Sequence, residues 1–131
     1  MSMNLILTSY SDLGQGKYSD CNSKNLESVE LTDDFLSRDV DSHVADIDIW
    51  DTQEGPPYQQ KAVKTTEIRQ IVGGCEETAR NLMTEITKND ISAKQRDICF
   101  DRITMILNAR KLLRKKITKY ADQDNIFVIV G

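Results

Sequence analysis

At 131 residues the chain has room for one domain of ordinary size, but its 39% apolar share, with only 6% aromatic, implies a thin core. No window approaches the roughly 18 consecutive apolar residues of a membrane span, and the opening MSMNLILTSY lacks the basic region of a secretory signal. The net charge of −4 conceals a division: residues 1–60 hold twelve acids against three bases, a local −9, while residues 61–131 carry fourteen bases against nine acids, a local +5.

Residues 4–8 (Asn-Leu-Ile-Leu-Thr) read as a short strand, and residues 9–24, rich in Ser, Gly, Asp and Asn, as loop. Within residues 26–50 the apolar side chains are interleaved with acids. Thr32 is placed to cap a short helix carrying Val29, Leu31, Phe35, Leu36 and Val40 on one side, with Asp33 and Asp34 in its first turn. The following Asp46-Ile47-Asp48-Ile49-Trp50 alternates with period two, as a half-buried strand or an extended peptide does. This composition sits near the boundary at which a segment orders only when a partner supplies the missing apolar contact.

Gly55-Pro56-Pro57 marks a boundary, because a double proline blocks helix and favours an extended linker. Beyond it, Ile68, Val72, Cys75, Ala79, Leu82 and Ile86 step by four and three residues and predict a helix over about 65–88. Gly73-Gly74 interrupts it, and two explanations present themselves: a kink, or the close approach of another backbone. Residues 89–91 form a turn, and Ser92 to Gln95 spells a capping box that starts a second helix over about 93–121. Its ladder is Cys99, Ile103, Ile106, Arg110, Leu113, Ile117 and Tyr120, yet Ile98, Phe100, Met105 and Leu107 add apolar surface off that stripe. A single partner helix cannot cover so much. Residues 125–130 (Asn-Ile-Phe-Val-Ile-Val) predict a strand buried on both faces, with residues 4–8 the one similar run able to pair with it.

No motif carries chemistry well. The acid-rich run from Asp39 fails as a calcium loop, since Val44 stands where glycine is needed and Trp50 where the closing Glu belongs. His43 is the only histidine, which rules out a zinc site with two histidines within one chain. Gly14-Gln15-Gly16-Lys17 lacks the spacing of a phosphate-binding loop and reads as a surface turn. Cys21, Cys75 and Cys99 form no CxxC pair, which favours a reducing, cytoplasmic or nuclear compartment rather than secretion.

The fold expected from sequence is therefore mainly α: an antiparallel, coiled-coil-like helical hairpin over 58–131, with short terminal strands and an acidic, partly extended N-terminal arm over 1–57. A small α+β fold is the alternative. The expected function is a non-enzymatic interaction or assembly subunit, without cofactor or metal, that pairs with itself and with another protein. Ile98, Phe100, Ile103, Met105, Ile106, Leu107, Leu112 and Leu113 are the candidate self-association residues. Phe35, Leu36, Ile47, Ile49 and Trp50 are the candidate partner-binding residues of the arm. Arg110, Lys111, Arg114, Lys115, Lys116 and Lys119 form a basic patch, more bases than a helix C-terminus needs, and suggest nucleic-acid binding as the alternative function.

Overall fold

The computed structural model describes residues 3–51 and 55–131; Glu54, one of the acids counted above, lies outside them. Five strands run β1 (Met3–Gly14), β2 (Lys17–Leu31), β3 (Val44–Trp50), β4 (Tyr58–Val63) and β5 (Ile126–Val130), and they close into a barrel. Between β2 and β3 lie a short helix α1 (Asp33–Phe35), a π turn (Leu36–Val40) and a 3-10 turn (Asp41–His43). Two long helices, α2 (Ile68–Ile86) and α3 (Ala93–Ile117), separate β4 from β5. The described strands dominate the core, so the expected mainly α, coiled-coil-like hairpin is overturned, and with it the extended acidic arm.

Two features of the arm misled the sequence reading. Residues 9–24, expected as loop, complete a long antiparallel hairpin between β1 and β2, with Gly14↔Lys17 as its last pair. Gly14, Gln15 and Gly16 all take positive φ at 85°, 54° and 75°, which glycine supplies without strain at two of the three positions. Further along β2, residues 21–26 are all exposed, so both faces meet solvent, a setting in which backbone pairing rather than apolar alternation makes the strand. Residues 44–50 then pair with β4 from Val44↔Val63 to Ile49↔Tyr58, so the alternating Asp-Ile run is a sheet strand rather than a free peptide.

The β1/β5 pairing, from Leu5↔Val130 to Ser9↔Ile126, forms the centre of the sheet and separates two apolar clusters. Alternation sends Leu5, Leu7, Ile126, Val128 and Val130 to one side, against Leu31, Phe35, Ile68, Cys75, Ile106, Leu112 and Leu113. Ile6, Tyr10, Phe127 and Ile129 point the other way and meet Tyr18, Ile47, Ile49 and Ala62 inside the barrel. Phe127 packs on both Tyr10 and Tyr18, with ring centroids 5.9 Å and 5.2 Å away. The helices therefore form a layer on the barrel's outside, and their ladders are buried by strands as well as by each other.

Both helices follow from local signals. Ser92 accepts from the Gln95 backbone and Gln95 reaches back to the Ser92 backbone, completing the capping box of α3. α2 runs unbroken through the double glycine, which admits no other backbone: Gly73 has open space around its missing Cβ, and Gly74 has only the Asp39 carboxylate at 3.6 Å. At its end α3 stops at Ile117, earlier than expected, and the Lys116 ammonium donates to the carbonyls of Tyr120 and Gln123 in the turns that follow, at 3.3 Å and 2.8 Å.

Candidate interaction surface

The residues singled out from sequence separate into buried and exposed sets once folded. Ile103, Ile106, Leu112 and Leu113 lie inside the subunit, and Met105 is half-buried, with its sulfur 3.3 Å from the Thr32 backbone N–H. Three of the eight self-association candidates stay open: Ile98 at 42% exposure, Phe100 at 50% and Leu107 at 43%. Phe100 and Leu107 are seven residues apart and so share one outward stripe of α3. Ile98 falls on the opposite side of the helix. On α2, Met83 is 52% exposed. The Glu76–Arg110 bond at 3.0 Å sets the level of the two antiparallel helices and puts Met83 near Ile103, between Phe100 and Leu107. Met83, Phe100 and Leu107 thus form an apolar outcrop on the helical layer, facing away from the barrel.

The stripe through Phe100 and Leu107 is longer than its apolar part. Ala93, Asp97, Phe100, Thr104, Leu107, Lys111, Arg114 and Thr118 step by four and three residues, and every one is exposed. This second ladder escaped the sequence reading because its polar members hid its period. Thr104 and Thr118 donate their hydroxyls to the carbonyls of Phe100 and Arg114, at 3.0 Å and 2.6 Å, so their polarity is already satisfied within the helix.

The basic patch shrinks on folding. Lys116 is 4% exposed, and burial holds its ammonium below the ordinary lysine range. Arg110 is tied to Glu76, and Lys115 to Glu27 at 2.7 Å. Lys119 lies over the Tyr120 ring at 5.3 Å. Lys111 and Arg114 remain exposed with no ion-pair partner among the described residues.

The proposed arm residues are mostly core. Phe35, Leu36 and Ile49 are buried, while Ile47 and Trp50 are half-buried, with Lys17 over the Trp50 ring at 5.3 Å. A different acidic feature lies at the barrel seam. The Tyr58 hydroxyl donates to Asp20 at 2.9 Å, and the Cys21 thiol to the Asp51 carbonyl at 3.0 Å. Hydrogen bonding to Asp20, reinforced by its charge, raises the Asp51 carboxyl above its usual range, and burial followed by the Asp20 bond raises the Tyr58 phenol.

Enclosed space is scarce. A cleft lined by Thr32, Phe35, Arg38, Leu82, Arg102 and Met105 among others holds about 90 Å³, well short of the roughly 300 Å³ at which small-molecule sites begin, and roomier hollows of about 400 to 500 Å³ are open surface grooves. An open groove between residues 27–30 of β2 and residues 101–108 of α3 is polar, with Glu30 and Asp101 on its sides. Among the described residues no group of three or more His, Cys, Asp or Glu is placed to hold a metal ion, and no helix is long and apolar enough to cross a membrane. Comparison of the chain with family models, with curated proteins and with solved structures gives no match.

Proposed function

We propose that this chain is a non-enzymatic assembly subunit whose docking surface is the outward face of the helical layer. The observation that carries this reading is the outcrop of Met83, Phe100 and Leu107, three large apolar side chains about half exposed on neighbouring turns of α2 and α3. Apolar side chains grouped in this way on a small soluble domain mark protein contacts more often than chance exposure does. The shallow clefts favour a macromolecular partner over a small ligand. Nucleic-acid binding has less support than the sequence suggested, because among the described residues the six bases of α3 and its end leave three exposed cations without an ion-pair partner, Lys111, Arg114 and Lys119, the last lying over the Tyr120 ring.

A size measurement in two settings tests the reading. Purified chain and tagged chain in clarified cell extract are each run on a sizing column with light-scattering detection. The wild type should appear in a species larger than its 14.9 kDa in at least one setting. The double variant Phe100→Ser, Leu107→Ser should run as a folded monomer in both. A wild type that is monomeric in both settings overturns the proposal.

A further inference from the structure

We infer that the partner on this face is a second copy of the chain, bound with the two α3 helices antiparallel across a two-fold axis that passes between Thr104 and Leu107. The inference rests on the docking role proposed above and identifies its occupant. The ladder of α3 is self-complementary in one direction only. Run antiparallel with Thr104 opposite Leu107 of the second copy, each ladder position meets another ladder position. Phe100 then faces Lys111, and Asp97 faces Arg114. A two-fold axis repeats each contact, so the seam holds two Asp97–Arg114 ion pairs and two sites where a lysine stem and ammonium lie along a phenylalanine ring. A parallel arrangement instead stacks Asp97 on Asp97, Lys111 on Lys111 and Arg114 on Arg114, and like charges in contact are strongly unfavourable.

Three observations make the surface ready for this use. Asp97, Lys111 and Arg114 have no ion-pair partner among the described residues, so the seam satisfies charges the subunit leaves open. The Thr104 hydroxyl is already committed to the Phe100 carbonyl, which leaves its methyl to be buried at the axis. Lys115, which would approach Lys94 of the second copy, is neutralised by Glu27. Only Phe100 and Leu107 from each copy are large apolar anchors, so the dimer is weak, with a Kd on the order of micromolar.

Cross-linking and charge reversal on purified full-length chain test this arrangement, in a Cys21→Ser background that removes the exposed thiol and leaves Cys75 and Cys99 buried. Ala93 and Thr118 face each other across the seam without contributing to it. A mixture of Ala93→Cys and Thr118→Cys chains, one of them mass-tagged, should be joined by a short bismaleimide. Neither variant alone should link, because like positions then lie about 37 Å apart along the helix. Asp97→Arg should weaken dimerisation about tenfold or more, and adding Arg114→Asp should restore it. Self-linking of Ala93→Cys means a parallel pair and overturns the inference. A purified wild type that stays monomeric at high concentration also overturns it; if the larger species persists in extract, the docking role stands and its occupant is another protein.

Discussion

Two carboxylates of this fold are held in opposite directions, and single substitutions separate them. Glu67 accepts a hydrogen bond from His43 at 3.0 Å and lies 3.5 Å from Lys64; the His43 bond first, and Lys64 after it, lower its carboxyl below the ordinary 4.5. A depressed acid stabilises the fold above its unfolded pKa and loses that contribution as pH falls through the folded one. Glu67→Gln should therefore melt below the wild type at neutral pH, with the gap closing under about pH 4. Asp51 has the opposite sign: beside Asp20 its carboxyl is raised above 3.8, so its favourable contribution exists at low pH and disappears as pH rises through the folded value. Asp51→Asn should exceed the wild type in stability at neutral pH and converge with it in acid. Denaturant titrations from pH 3 to 8 check both, and parallel curves for either variant contradict its assignment. Gly73 offers a third residue-scale prediction. Its missing Cβ would meet nothing within 4 Å in a regular helix, so Gly73→Ala should raise stability by about 1 kcal/mol in the same titrations. A loss instead would mean that the position faces a close neighbour.

At the scale of elements, α3 serves two surfaces at once, and neighbouring residues report on them separately. Ile106 is sealed against the sheet and α2, whereas Leu107 is 43% open. Ile106→Asp buries an unpaired charge and should destabilise the subunit by about 3 kcal/mol or more. Leu107→Asp should melt within about 0.5 kcal/mol of the wild type yet lower the assembled mass. Similar unfolding of both variants would show that the outward stripe is core. The helix ladders, the Ser92 capping box and the apolar run of β5 could all be read from the sequence, because each is local and periodic. The hairpin of β1 and β2 could not. Its distal half is polar Ser, Asp and Asn, and it is a strand only because its partner lies across the Gly14 to Lys17 turn. The excess apolar surface of α3 is plain in the sequence, but what covers it is not: Ile106, Leu112 and Leu113 are buried and Met105 half-buried against strands of the barrel as well as α2, and nothing local in the sequence brings those strands to it. Lys116 was counted among the solvated bases because nothing in the sequence shows the turn carbonyls that receive it.

For the molecule as a whole, the barrel is closed unevenly, by long joins and by two short ones. β1 and β5 pair over five residues between two apolar clusters, and β3 and β4 pair over six. β4 and β5 share a single antiparallel pair, Ala62↔Ile129, with both side chains buried, while β2 and β3 meet only at Tyr18↔Ile49 and Ser19↔Trp50, in parallel, a pairing slightly less stable per residue than the antiparallel kind. Ile49 and Ser19 of this join are buried and Tyr18 packs on Phe127, but the contacts that tie the strand ends together lie at the surface: Lys17 over Trp50, Tyr58 on Asp20, and Cys21 on the Asp51 carbonyl. Such contacts hold less firmly than burial does, and the repulsion between Asp20 and Asp51 at neutral pH works against them. The seam should therefore open as a local event while β1, β5 and the helical layer remain folded. Native-state hydrogen exchange should find the protected amides at residues 18–19 and 49–50 exchanging about a hundredfold or more faster than those of residues 5–7 and 127–129. Asp51→Asn should narrow that difference at neutral pH by relieving the repulsion at the join. Seam amides that exchange as slowly as the central ones, and with the same denaturant dependence, would show instead that the barrel opens only when the whole chain unfolds.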